Sequence, residues 1–257
     1  MEMTNVRKSI ALEAIYKSGQ YLLSVFGSDV SFYEKSAGDM VSEADKTSER
    51  ILIDCIKSRC PEDGILSEEC GKIEGASGYI WILDPLDGTH NFLNKLPHFG
   101  VLAALYKEGS AVSGFCYFPA LDMYFFTEKN FGSFLNGKRI SVCGAKDLKN
   151  EMFFSDGVLR KKPKEILGDI ENFCSRGCRL RVCGSAPFAF LMVACGNAAV
   201  ATNRLCKPWD VAAPALIVEE AGGMVSDENG KPWNLEAKNL IATNKILHKQ
   251  SLDAMFK

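Results

Sequence analysis

The stretch Tyr79-Ile80-Trp81-Ile82-Leu83-Asp84-Pro85-Leu86-Asp87-Gly88-Thr89-His90-Asn91-Phe92 decides how this chain is read. Its first five residues are bulky, β-branched or aromatic and predict a buried strand. The strand runs into two carboxylates, Asp84 and Asp87. The proline between them fixes its own φ and pushes Asp84 toward an extended backbone. Gly88 permits a close backbone approach or a positive φ. Two aspartates, a carbonyl and a hydroxyl at a strand end are the oxygen ligands that hard divalent cations take. Amides around Gly88 and Thr89, if they open a helix, would face an anion. The same residues also suit a plain turn, since Pro-x-Asp-Gly is a common turn sequence. The rest of the chain weighs between the two readings.

At 257 residues, 47% apolar and 24% charged, the chain has the composition of a soluble globular protein with ample length for a core. A net charge of −2 offers no global attraction to nucleic acid or to an anionic membrane, so an anion must be held locally or through metal. The first residues, Met1-Glu2-Met3-Thr4-Asn5, show no signal peptide, and the most apolar run, Phe188 to Cys195, is too short to span a bilayer. Ten cysteines are scattered without a Cys-x-x-Cys pair or a histidine at zinc spacing. Reduced thiols packed as small hydrophobes, in a cytoplasmic protein, are the expectation.

Upstream, apolar residues at three- and four-residue spacing predict a helix over 5–26 that stops at Gly27. Phe32 to Lys35 reads as a strand, followed by the loop Ser36-Ala37-Gly38-Asp39. A second helix follows Met40-Val41-Ser42-Glu43-Ala44-Asp45, with Asp45 as its cap. Ile65-Leu66-Ser67-Glu68-Glu69 is a short apolar run ending in two glutamates. If that strand neighbours the one ending at Asp84, the acidic ends converge. Downstream, strands over Val101–Tyr106, Ala111–Phe118 and Met123–Thr127 and a hairpin with an Asn136-Gly137 tip predict an antiparallel sheet on the first two helices. Beyond about residue 143 the elements alternate: helix near 164–174, strand at Arg179–Val182, helix from Ala186 after Gly184-Ser185, strand at Ala198–Ala201. Pro208-Trp209-Asp210 opens another helix, strands follow at 224–226 and 240–243, and a last helix starts near Asn244. The expected organisation is one domain, 1–257, with subdomains of about 1–143 and 144–257.

Taken together these stretches resemble the inositol monophosphatase family of magnesium-dependent, lithium-sensitive phosphatases. Residues 84–92 match every fixed position of its Asp-Pro-(Ile/Leu)-Asp-Gly-Thr-x-Asn-Phe pattern, and Trp209-Asp210-Val211-Ala212-Ala213 matches its second signature. Ser67-Glu68-Glu69 matches Gly-Glu-Glu apart from the serine, and Lys35 with Asp39 to Asp45 matches the Lys…Asp-x-Val-(Thr/Ser)-x-x-Asp segment. The resemblance implies an α+β, layered α/β/α/β/α sandwich, commonly dimeric. It implies that Glu68, Asp84, Asp87, Asp210 and the carbonyl of Leu86 ligate two or three Mg²⁺ ions. Asp45 and Thr89 would position the attacking water, with Glu68 beside them, and the Gly88 and Thr89 amides would hold phosphate. Gly184, Ser185 and Ala186 would face the substrate. With four or five carboxylates packed together, cations are needed to offset repulsion. No histidine stands near Ser185 in sequence, so a serine–histidine mechanism finds no support.

Inositol-processing members carry a glutamate seven positions before the aspartate of the second signature; here that position is Asn203. Asparagine donates and accepts hydrogen bonds but brings no charge. Arg204, Lys207, Arg179 and Arg181 could meet a second anionic group on a substrate. The reading is a Mg²⁺-dependent phosphomonoesterase for a small polyol or sugar phosphate, inositol monophosphate first. Histidinol phosphate is the alternative, and a regulatory protein-binding module is the alternative of another class.

Overall fold

The computed structural model describes residues 2–36 and 39–255; Ala37 and Gly38 of the expected glycine loop lie outside them. The chain divides into two compact units, Met1–Phe126 and Thr127–Lys257, so the division falls ahead of the hairpin rather than near residue 143.

The first unit runs α1 (Glu2–Val25), β1 (Phe32–Ser36), β2 (Asp39–Ser42), α2 (Glu43–Lys57), β3 (Gly64–Ser67), β4 (Gly71–Ile73), β5 (Tyr79–Asp87), α3 (Thr89–Leu93), β6 (Gly100–Lys107), β7 (Ser110–Phe118) and β8 (Met123–Glu128), which crosses the boundary. Its sheet has the order β8-β7-β6-β5-β3-β4. The two helices pack on it through period-3.6 stripes: Ile10, Ala11, Ala14, Ile15, Ser18 and Leu22 of α1, and Ala44, Ser48, Leu52 and Ile56 of α2, are all buried. Gly19 lets α1 approach the sheet, because a Cβ there would meet the Tyr117 ring at 2.3 Å. The sheet is not wholly antiparallel. β3 runs parallel to β5, with Ser67 opposite Leu83, so both strands end at the same edge.

The second unit runs β9 (Gly132–Leu135), β10 (Lys138–Ile140), β11 (Met152–Gly157), α4 (Pro163–Ser175), β12 (Arg179–Arg181), α5 (Ala186–Ala194), β13 (Val200–Arg204), α6 (Pro208–Glu220), β14 (Met224–Asp227), β15 (Asn239–Thr243) and α7 (His248–Met255). Its sheet has the order β12-β11-β13-β15-β14, parallel among the first three strands and antiparallel after. Strand β11 is absent from the sequence reading, because its apolar run is only Met152-Phe153-Phe154 before Ser155 and Asp156. Burial on both sides makes it a central strand regardless of that short signal. The last helix starts at His248, not Asn244. The Asn244 side chain is spent on the carbonyls of Cys143 and Ala145 and accepts from the Leu247 amide, capping the turn before the helix.

Candidate active site

The parallel pairing of β3 and β5 brings the acidic strand ends together. The Glu68 amide donates to the Leu83 carbonyl at 3.3 Å, so Glu68 leaves β3 beside the point where Asp84 leaves the regular part of β5. Asp84 and Asp87 are at odd spacing and would point to opposite faces of an ideal strand. The pairing with β6 shows how this is overcome. Asp84 lies opposite Leu102 and Asp87 opposite Gly100, so β5 spends three steps where β6 spends two. The extra residue is a β-bulge, the position where a proline without an amide is tolerated. Leu102 and Gly100 lie two apart, hence the two aspartates share a face. Cys116, paired with Leu102 on the next strand, sits near both. Burial pushes its thiol well up, and the charges of Asp87 and Asp84 push it further.

Donors fix the backbone around the bulge. The Leu86 amide donates to Asp84 Oδ1 at 3.1 Å, and Ser48 of α2 donates to the Pro85 carbonyl. Thr89 Oγ1 lies 3.0 Å from Asp45 Oδ1 and 3.1 Å from the Leu86 carbonyl, sharing its one proton between them. Asp45 itself is the third residue of α2 rather than its cap. Ser42 is the cap, and Asp45 Oδ2 accepts from the Ser42 amide at 2.8 Å and its hydroxyl at 2.6 Å, a capping box. Burial raises the Asp45 carboxyl, while these hydrogen bonds oppose the shift.

Glu49, one turn further along α2, holds the turn that presents Glu68. Its Oε1 accepts from the Ser67 hydroxyl and from the amides of Glu69 and Cys70 at 3.2 and 3.1 Å. The serine that departs from the Gly-Glu-Glu pattern therefore supplies a hydroxyl to this clamp. Glu69 turns to Lys35 as an ion pair.

Gly88 turns the chain into α3 with φ 75° and ψ 37°. A Cβ there would stand 2.6 Å from the His98 carbonyl oxygen. Gly88→Ala is therefore expected to shift the turn that carries Thr89, at a cost of about 1–3 kcal/mol. Thermal denaturation and the rate of phosphate release, measured on one preparation, should both fall.

In the second unit, Asp210 is the third residue of α6 and its Oδ2 accepts the Lys207 amide at 2.8 Å, so it too is not the cap itself. Ser185 caps α5, accepting from the Phe188 amide at 3.1 Å. Asn203 is buried on β13, opposite Asp156 of β11. Arg204 is not available to an anion: its guanidinium makes a buried two-point pair with Asp169 at 2.6 and 2.8 Å, and Glu228 lies at 3.5 Å. Sequence reasoning missed Glu49 and also Asp156, the latter hidden because its strand was missed. Asp156 is buried, and its Oδ1 accepts the amides of Cys183 and Gly184 at 3.2 and 2.7 Å. Burial pushes its carboxyl up to about 6.

Among the described residues no group of three or more His, Cys, Asp or Glu side chains stands out as a metal site. Asp45 accepts from Ser42 and Thr89, and Asp210 from the Lys207 amide. The first unit nevertheless offers two buried carboxylates on one face with the Leu86 carbonyl between them in sequence, an all-oxygen donor set that fits a hard divalent cation.

A profile of the inositol monophosphatase family matches residues 3–255. The chain belongs to the inositol monophosphatase family. It is 34% identical over 254 residues to the inositol-1-monophosphatase of Mesorhizobium japonicum, covering 97% of this chain and 96% of that one. It is 31% identical to the histidinol-phosphatase of Chlorobaculum parvum, over 96% of this chain and 95% of that one. The crystal structure of the extragenic suppressor protein suhB from Bartonella henselae superposes with a TM-score of 0.95 at 30% identity, covering 98% of this chain and 99% of that one. The layered α/β sandwich expected from the sequence is thus the fold, and the chain is a phosphoric monoester hydrolase of a metal-dependent family. No helix among the described residues is long and apolar enough to cross a membrane.

Proposed function

We propose that this phosphatase hydrolyses the phosphate monoester of a small polyol, inositol monophosphate first, with Mg²⁺ as cofactor, and that it works as a cytoplasmic homodimer. The observation that carries the reading is the bulged end of β5, which sets Asp84 and Asp87 on one face next to the end of β3 that bears Glu68. We assign Glu68, Asp84, Asp87, the Leu86 carbonyl and Asp210 to two or three Mg²⁺ ions. Bound there, the cations supply charge to the phosphoryl oxygens and acidity to water, which an otherwise very slow hydrolysis needs.

The chain's own groups orient that water. The single proton of Thr89 Oγ1 is committed to Asp45 and the Leu86 carbonyl, which leaves its oxygen as an acceptor. A water donating to Thr89 is thereby held with a lone pair free to attack phosphorus, and Asp45 is the nearest carboxylate along that hydrogen-bonded line to take up a proton. Glu68 completes this group. The Gly88 and Thr89 amides are assigned to the phosphate. Gly184, Ser185, Ala186 and Asn203 are assigned to the alcohol half of the substrate.

Histidinol phosphate is the second reading. It is supported by the histidinol-phosphatase relative, and Asn203 withholds the charged acceptor that would favour inositol. Phosphate release from both inositol 1-phosphate enantiomers, glycerol 2-phosphate, fructose 1,6-bisphosphate, histidinol phosphate and 3′-phosphoadenosine 5′-phosphate tests both readings. The assay is run with Mg²⁺, with EDTA and with added Li⁺. Mg²⁺-dependent, Li⁺-sensitive turnover with inositol phosphates ahead is expected. Histidinol phosphate ahead selects the second reading, and no turnover on any member overturns both.

A further inference from the structure

The buried carboxylate of Asp156 has no part in the assignments above, and its two oxygens are unlike. Oδ1 accepts the amides of Cys183 and Gly184 at 3.2 and 2.7 Å. The Ser185 amide also contributes to holding this carboxylate. Oδ2 is sealed from solvent and has no hydrogen-bond partner. Asp156 is only 5% exposed. A carboxylate is costly to bury, and a sealed oxygen without a donor adds to that cost. A stability role alone would be served at least as well by a neutral acceptor. The backbone it grips is the turn from β12 into α5, where Gly184 stands at φ 70°. That turn delivers Ser185, whose hydroxyl caps α5. On its other side Asp156 is the register neighbour of Asn203 in the parallel pairing of β11 with β13. One side chain therefore ties the Cys183-Gly184-Ser185 turn to β11, next to the strand that carries Asn203.

We propose that Asp156 is a positioning residue for substrate selection: it fixes the turn of Cys183, Gly184 and Ser185 against the Asn203 strand, and so sets the shape that the alcohol half of a small phosphate monoester meets. The proposal rests on the assignment of that turn and Asn203 to the substrate. Asp156 does not touch the reacting atoms, so its removal acts on substrate affinity and selectivity while the chemistry of the first unit is spared.

The test uses the full chain with Mg²⁺ and the best substrate of the panel. Asp156→Ala removes the acceptor and is expected to raise KM about tenfold or more with kcat within threefold, and to flatten the ranking of the panel. Asp156→Asn keeps an oxygen for the two amides and discards the buried charge. It should return KM to within about twofold of the parent at equal or higher Tm. This rescue separates positioning from bulk stability, which would track Tm instead. Asp156→Glu keeps the charge but pushes the turn outward, and should raise KM like the alanine variant; it carries the test if Asp156→Ala does not fold. Parental KM and panel ranking in both Asp156→Ala and Asp156→Glu, or in Asp156→Glu where Asp156→Ala does not fold, would overturn the proposal. A parent inert on every substrate overturns instead the function on which it rests.

Discussion

Asp87→Asn is expected to lower phosphate release by at least about a hundredfold without unfolding the protein. The substitution keeps the shape of a side chain that is 9% exposed, so packing between β5 and β6 is preserved. What it removes is one of two negative charges on a single face of the bulge. Without its partner, Asp84 offers a cation one formal charge where the pair offers two. The amide also ends the repulsion between the two carboxylates, so the unliganded protein should be as stable as the parent or more so. Two readouts check this. Parent Tm should climb as Mg²⁺ is added, because the ion binds the folded state, and that climb should shrink in the variant. Turnover at saturating substrate should fall even in excess Mg²⁺. Activity within threefold of the parent would remove Asp87 from the metal site and with it the central assignment.

Asp63→Ala is expected to cost about 3–5 kcal/mol and to lower Tm by about 10 °C, with kcat at 25 °C unchanged in the fraction that remains folded. Asp63 is fully buried just ahead of β3, at the opposite end of that strand from Glu68. It accepts Arg7 Nε at 2.8 Å and Nη2 at 2.7 Å, Ser77 Oγ at 2.6 Å and Trp81 Nε1 at 3.0 Å. Arg7 also stacks over the Tyr79 ring, 3.8 Å from its centroid. Alanine strands a buried guanidinium and a buried indole N–H together. Burial alone would raise the Asp63 carboxyl, but the hydrogen bonds from Arg7, Ser77 and Trp81 outweigh it and hold the group below the usual range. A carboxyl depressed in the folded state adds stability that is full above its unfolded pKa of about 3.9, and lost as pH falls through the lower folded value. Acid titration of Tm should show this loss in the parent below about pH 4 and less of it in Asp63→Asn. Equal acid profiles for both would sink the argument.

Much of this molecule is legible in its letters. The run Tyr79 to Leu83 is apolar on both faces because β5 is buried on both from Trp81 onward, with Ile80 alone exposed in that run, and the stripes of α1 and α2 follow from one-sided packing. Helix starts are legible where a proline or a Gly-Ser turn announces them, as at Ser185 and Pro208, whereas α2 is capped by Ser42, three residues ahead of the Asp45 that the sequence suggests. The acidic residues at the end of β5 stand out because their types and order are themselves the signal. Less legible were features whose cause lies elsewhere in the chain. Strand β11 has a short apolar run and is a strand because β12 and β13 flank it. Arg204 reads as a charge open to a substrate anion until Asp169, far away in sequence, is found 2.6 Å from it.

By itself the sequence determined the main elements, which follow from local pattern, and the family and phosphatase class, which follow from the resemblance of its motifs to a known family. Only the tertiary structure decided that β3 and β5 are parallel neighbours and that a bulge turns Asp84 and Asp87 to one face. It also decided that Glu49 and Asp156 grip the turns next to Glu68 and Ser185. The physical reason is common to all of these: register and buried hydrogen bonds join residues distant in the chain, and no local period encodes which strand or amide will stand opposite.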